Sequence, residues 1–414
     1  MSTITNELFY QPPPIATSGK DDNHTYHIFF ITGNPGLIKY YHGFLAELSK
    51  LLSGSTDPSS PSSKAHISKK NRHHVFGASL PGFETFPCQS QPNPGRRETS
   101  DSQKHDKPPY SLKRVIELVE SRLMAYAQEQ KSTSISAASS SAPESVTTSS
   151  SKPSTQSSPS NLPEASKSPL KVILVGHSVG SYILLEILRR HKAAQPAGID
   201  IVGGILLFPT VTHIAKSPSG VKIGSVLQLQ YFALFADLFV RLLSWLIPHS
   251  ILYIFVKLAT GFPKDAARTT LEFLCSPAGV REALHMSRDE MNEITEDRWD
   301  ADVWGASVPG AERDPARLVF YFGQNDHWVA DHTRDDLIAA RAANSARGDR
   351  QWPKMMIDED GIPHSFPIRH SSLVAEKVKA FIEAIIRDEQ KAALPPDEEN
   401  IEAPWMVSRS WLYL

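Results

Sequence analysis

Short, almost uninterrupted apolar runs recur along the chain, each followed by a stretch with apolar residues at helical spacing. HIFFIT (27–32) precedes GFLAELSKLL (43–52), HVFGASL (74–80) precedes LKRVIELVESRLMAYAQ (112–128), and LKVILV (170–175) precedes the run that begins after Ser178. Strands apolar on both sides, separated by amphipathic helices, predict a mostly parallel central sheet flanked by helices on both faces. IVGGILLF (201–208) and RLVFYF (317–322) extend that sheet, and SSLVAEKVKAFIEAIIRDE (371–389) predicts a closing helix.

Polar, low-complexity segments interrupt the pattern at 53–73, 88–109 and 132–169, the last of them rich in serine and proline. Such composition gains too little from burial to offset chain entropy, so all three read as flexible insertions within one domain. The expected organisation is an α/β core built from 1–209 and 310–392, an inserted segment at 210–309, and a C-terminal tail at 393–414.

The inserted segment contains the most apolar part of the chain, SVLQLQYFALFADLFVRLLSWLIPHSILYIFVKLATGF (225–262). A spanning helix needs about 20 uninterrupted apolar residues, and Asp237, Arg241 and the Pro248-His249 pair break this run. Two shorter apolar helices broken at Pro248 suit either a cap over a pocket or a hairpin lying in a lipid surface. Asp237 and Arg241, four residues apart, are placed to pair on one helical face.

Charge changes the picture by exclusion. Lys and Arg number 43 against 45 Asp and Glu, for a net charge of −2, and no basic block of the kind that binds nucleic acid is present. Cys88 and Cys275 stand far apart with no metal-ligand spacing, which suits a reducing, cytosol-facing compartment. The first residues, MSTITNELFYQPPP, do not read as a secretory signal.

The candidate chemistry lies at Gly176-His177-Ser178-Val179-Gly180. This is the GxSxG pattern, with a strand before it and a helix after it, the context that makes the pattern an α/β-hydrolase nucleophile elbow. Gly176 and Gly180 allow the cramped turn, Ser178 is the candidate nucleophile, and the N–H of Val179 at the helix start is a candidate oxyanion donor. A serine nucleophile needs a histidine base and an acid to orient it, in the chain order Ser, Asp, His.

RLVFYFGQNDHWV offers Asp326 in the loop at a strand end, ahead of Asp331, Asp335 and Asp336, which fall on the next helix. DEDGIPHSFPIRHSS offers His364 in a Gly/Pro loop before the final helix, ahead of His370, which lies where a surface or capping histidine is ordinary. A second oxyanion donor is expected after the first parallel strand, in Gly33-Asn34-Pro35-Gly36. Pro35 has no N–H, which leaves the N–H of Asn34; a plain Asn-Pro-Gly turn is the alternative.

GNPG followed by Tyr40, Tyr41 and Phe44, then GHSVGS, LFPTVTHIAKSPSG (207–220), YFGQNDHWV and the late HSF (364–366) together resemble the lipid droplet-associated hydrolase family. The resemblance covers nearly all of the chain outside the insertions. It implies an α/β-hydrolase fold with an inserted apolar helical cap and a serine ester hydrolase with Ser178, Asp326 and His364 as its triad. It further implies neutral lipid esters, sterol esters or acylglycerols, as substrates, and residence on lipid droplets and the endoplasmic reticulum through 225–262.

Such chemistry needs no metal or organic cofactor. The long serine-rich insertion departs from the family's compact animal members and suggests a fungal-type version, and His327 stands where a small residue is expected. Two other functions stay open on sequence alone: a lipid-droplet binding protein with little turnover, and a serine-dependent acyltransferase. The His-x4-Asp signature of many glycerolipid acyltransferases is absent from the 16 histidines.

Overall fold

The computed structural model describes residues 6–12, 24–54, 71–85, 107–140, 169–196, 198–300, 303–305, 315–345 and 352–393. Cys88, most of the three insertions and the tail from residue 394 lie outside them. In chain order the elements are β1 (Glu7–Tyr10), β2 (Thr25–Ile31), α1 (His42–Leu52), β3 (Arg72–Ala78), α2 (Leu112–Ser140), β4 (Leu170–His177), α3 (Val179–Ala194) and β5 (Ile199–Leu207). Then come α4 (Pro218–Leu227), α5 (Phe232–Leu246), α6 (His249–Thr260), α7 (Lys264–Leu274), α8 (Gly279–Glu293), β6 (Arg317–Phe322), α9 (Asp331–Ser345), β7 (Lys354–Ile357) and α10 (Ser371–Ala392).

The strands form one sheet in the order β1-β3-β2-β4-β5-β6-β7, parallel throughout except for β1 against β3. β2 is buried from Tyr26 to Ile31 because successive side chains enter different cores. Phe29 and Ile31 pack with α2 and α3 residues such as Val115 and Ile183, while Ile28 and Phe30 pack with Phe44 of α1 and Val378 of α10. This sheet, helix-covered on both faces and with its order reversing at β2, is the α/β-hydrolase fold. In open parallel sheets ligands bind outside the carboxyl ends of the strands at such a reversal, here those of β2 and β4.

The expected strands and closing helix are present, with three differences at their margins. β1 and β7 were not anticipated; each is a four-residue edge strand paired on one side only. β3 begins at Arg72 and α2 runs to Ser140, so the insertions expected at 53–73 and 132–169 give up their ends to regular structure. The apolar stretch 225–262 is not two helices but the end of α4, then α5 and α6, the last two divided at Pro248 as expected.

α4 and α5 meet at an 88° bend, and among the described residues no single helix is long and apolar enough to cross a membrane. Much of the apolar surface of α5 faces outward, although Phe232 packs against the core: the helix's one fully buried side chain is Asp237, which takes an ion pair of 2.9 Å from Arg241. Trp245 is 80% exposed, Leu258 79%, Phe255 68%, Phe235 66% and Phe239 61%.

His27 is buried on β2 beside His74, with the Tyr126 hydroxyl 2.9 Å from its Nδ1. Burial, assisted by His74, pushes its pKa down from 6.5 to about 3. A histidine kept neutral by the fold contributes its full stability above pH 6.5 and loses it as pH falls toward the folded value. At pH 5 that loss is about 2 kcal/mol. Urea unfolding at pH 7.5 and pH 5 is expected to show the wild type losing about that much more than His27→Gln; equal losses would show that His27 is not the group responsible.

Candidate active site

Ser178 sits at the corner between β4 and α3 with φ 54° and ψ −124°, a conformation unfavourable for a residue with a side chain. The corner packs this tightly only because Gly176 and Gly180, two residues to either side, have no Cβ. A Cβ on Gly176 would stand 2.4 Å from the carbonyl oxygen of Gly180, and a Cβ on Gly180 would stand 2.4 Å from that of Ile31. The Ser178 N–H donates to the Leu207 carbonyl at 3.0 Å, which ties the corner to the end of β5.

The structure brings the three expected side chains together from separate strand ends. His364 Nε2 lies 3.0 Å from Ser178 Oγ, and His364 Nδ1 lies 2.7 Å from Asp326 Oδ2. All three are nearly closed off: Ser178 is 7% exposed, and the side chains of His364 and Asp326 are 10% and 2% exposed. Asp326 Oδ1 also accepts the Trp328 N–H at 2.9 Å, so both carboxylate oxygens are used.

The loops that carry Asp326 and His364 are each braced by other side chains. Arg334 of α9 donates to the carbonyls of Gly323 and Gln324, and Asp331 and Asp335 pair with that same arginine, so these two rival carboxylates serve the loop of Asp326. Asp358, at the end of β7, accepts the Ile362 N–H at 2.6 Å and the Tyr321 hydroxyl, shaping the turn toward His364. His370 occupies the N-cap position of α10, where its carbonyl accepts the Val374 N–H at 3.1 Å, but its side chain makes no capping hydrogen bond. The His327 carbonyl accepts the Ser219 N–H of α4 at 2.8 Å, and its ring stands 6.1 Å from that of His364.

The loop after β2 lies against the serine, with Gly33 packed beside the side chains of His177 and Ser178. The Gly33 N–H is committed to the Tyr41 hydroxyl at 3.1 Å, so it is not the free donor in this loop. The Asn34 side chain reaches into the inserted helices, donating from Nδ2 to the Ala283 carbonyl, Ser287 Oγ and Glu290 Oε1 on α8 at 2.9 to 3.1 Å. Burial raises Glu290 to about 7, with the Asn34 hydrogen bond opposing the shift. The Val179 N–H opens α3, where no carbonyl one turn back exists to accept it.

This arrangement can move a proton from Ser178 to His364 and stabilise the resulting imidazolium through Asp326. Among the described residues no group of three His, Cys, Asp or Glu side chains is placed to hold a metal ion. Sequence reasoning gave no role to His177, Tyr41, Arg334, Asp358 or Glu290; His177, Tyr41 and Asp358 stood inside quoted stretches, and contacts such as Tyr41 with His177 or Asn34 with Glu290, far apart in the chain, leave no local signal.

Comparison with known proteins places the chain. Lipid droplet-associated hydrolases from Gallus gallus and Drosophila melanogaster are 26% and 27% identical over 212 and 221 residues, covering 50% and 52% of this chain. The human protein of that name is 25% identical over 215 residues. The chain spans between 57% and 63% of the length of these relatives. Among solved structures, an epoxide hydrolase from Vigna radiata matches with a TM-score of 0.44 at 10% identity, covering 92% of this chain and 97% of that one. A fungal esterase from Rhizomucor miehei matches with a TM-score of 0.42 at 9% identity, covering 95% and 85%. The family model described as lipid-droplet associated hydrolase matches residues 24–141 and 158–367, most of the sequence, and the chain belongs to that family.

Proposed function

We propose that the protein is a serine ester hydrolase acting on neutral lipid esters, sterol esters or acylglycerols, at the surface of lipid droplets. The observation that carries this reading is the hydrogen-bonded series Ser178, His364, Asp326 at 3.0 and 2.7 Å. Ser178 Oγ attacks the ester carbonyl while His364 Nε2 takes its proton. The N–H groups of Val179 and Asn34 receive the oxyanion, and the proton then passes to the departing alcohol. Water, deprotonated by the same histidine, cleaves the acyl-enzyme and restores Ser178.

The surface supports the lipid part of the proposal. Between 218 and 262 the Asp, Glu, Lys and Arg residues are Lys222, Asp237, Arg241 and Lys257, and the one acid among them is buried. An outward apolar face with only cationic charges left on it matches an interfacial helix lying among lipid headgroups. The same face supports a second reading, a lipid-surface binding protein with little turnover.

Labelling with a fluorophosphonate probe in detergent separates the two. Wild type is expected to label and to hydrolyse p-nitrophenyl octanoate, whereas Ser178→Ala does neither. A folded wild type that fails to label removes the hydrolase reading and leaves the binding protein.

A further inference from the structure

His177, the residue before the nucleophile, sits in a closed box of rings from Tyr41, Phe208 and Phe366, with the His364 ring 5.0 Å away. Its two nitrogens each meet one partner: the Tyr41 hydroxyl lies 2.6 Å from Nδ1, and the backbone carbonyl of His364 lies 3.0 Å from Nε2. Tyr41 itself accepts the Gly33 N–H.

We propose that Tyr41 and His177 are positioning residues that lock the oxyanion loop, the nucleophile elbow and the backbone of the base into one register through a single directional chain of hydrogen bonds. Resting on the hydrolase reading, the inference adds to it two residues that touch no reacting atom.

The direction follows from counting protons. A carbonyl oxygen accepts only, so Nε2 of His177 carries the hydrogen and donates to His364. Nδ1 of the neutral ring is then an acceptor and takes the Tyr41 hydrogen, which frees the phenol oxygen to accept from Gly33. The chain therefore runs Gly33 N–H to Tyr41, Tyr41 O–H to His177, and His177 Nε2–H to the His364 carbonyl, with every group satisfied. Burial raises Tyr41, so its proton stays on. Burial and the His364 ring hold His177 well below 6.5, so the ring stays neutral beside a histidine that must become positive during turnover.

Two consequences distinguish this role from simple packing. The bond to Tyr41 turns the Gly33 N–H away from the substrate, which assigns the oxyanion donor to the following peptide. The base is held at both ends, by Asp326 at the imidazole and by His177 at the backbone, so its Nε2 has little freedom to drift from Ser178.

The test uses the full chain in detergent with p-nitrophenyl octanoate and a fluorophosphonate. Tyr41→Phe removes one oxygen from a ring that keeps its packing against Phe30 and Phe366. Expected is a fall in kcat on the order of 10- to 100-fold with KM nearly unchanged, and an equal fall in the labelling rate. Tyr41→Phe/His177→Phe is expected to be no worse than the poorer single variant, because both break one chain. Wild-type kcat in Tyr41→Phe, or losses that multiply in the double variant, overturns the proposal.

Nitrogen NMR of the 15N-histidine protein decides the point independently of activity, with His177→Phe supplying the assignment. A neutral Nε2–H tautomer of His177 from pH 8 to pH 5 is expected, and an Nδ1–H tautomer or titration in that range refutes the chain. A wild type that neither labels nor turns over defeats the hydrolase reading, while the tautomer still reports on the chain itself.

Discussion

Asp326→Asn is expected to lower kcat for a soluble p-nitrophenyl ester by about 10,000-fold at neutral pH while shifting the thermal midpoint by only a few degrees. The asparagine keeps an oxygen for the Trp328 N–H, which Asp326 Oδ1 accepts at 2.9 Å. Its amide hydrogens then face His364 Nδ1, where Oδ2 stood at 2.7 Å, and force that nitrogen to accept. The histidine proton moves to Nε2, which faces Ser178 Oγ at 3.0 Å and can no longer take the serine's proton. Geometry survives and chemistry does not. A loss smaller than about tenfold would show that His364 does not depend on Asp326 for its tautomer.

The second large effect is expected at the surface. Phe235, Phe239 and Trp245 are 66%, 61% and 80% exposed, so replacing all three with serine removes little from the interior and should leave the thermal midpoint in place. Burying a large apolar side chain is worth about 1.5 to 3 kcal/mol. Three together, partly sunk in lipid, are worth about 5 kcal/mol, or more than three orders of magnitude in partitioning. Flotation with phosphatidylcholine-coated triolein droplets is expected to recover the wild type at the top of the gradient and the triple variant at the bottom. Equal flotation would mean that α5 does not carry the lipid contact and would redirect attention to other parts of the chain.

How much of this was legible beforehand depended on whether the signal was local. The corner at Ser178 is written in ten consecutive residues, strand, glycine, serine, glycine, helix, because strain and close approach restrict which residues fit there. Asp326 and His364 were legible as loop residues at predictable places after a strand and before a helix. β1 and β7 escaped because a short strand paired on one side needs little apolar pattern, and ELFY and KMMI are ambiguous at that length.

The orientation of α5 was illegible for a different reason. Periodicity shows that a helix has an apolar face but not which way the face points, and the buried Asp237 paired with Arg241 decides it only in three dimensions. The links from Asn34 to α8 and from Tyr41 to His177 join residues separated by 256 and 136 positions, and nothing near either partner announces the other.

The packing of α10 against α1 bears on how the protein comes into being. Phe44, Leu45 and Leu48 of α1 share a core with Val374, Val378 and Ile382 of α10, and the candidate base, His364, directly precedes that helix. During synthesis the apolar side of α1 stays uncovered until α10 has left the ribosome. The outward face of α5 is already exposed by then. A nascent chain in this state carries two apolar surfaces, and before residue 364 emerges the hydrogen-bonded series from Ser178 to Asp326 is incomplete. The second core should close, and the series be completed, with one and the same stretch, residues 364–392.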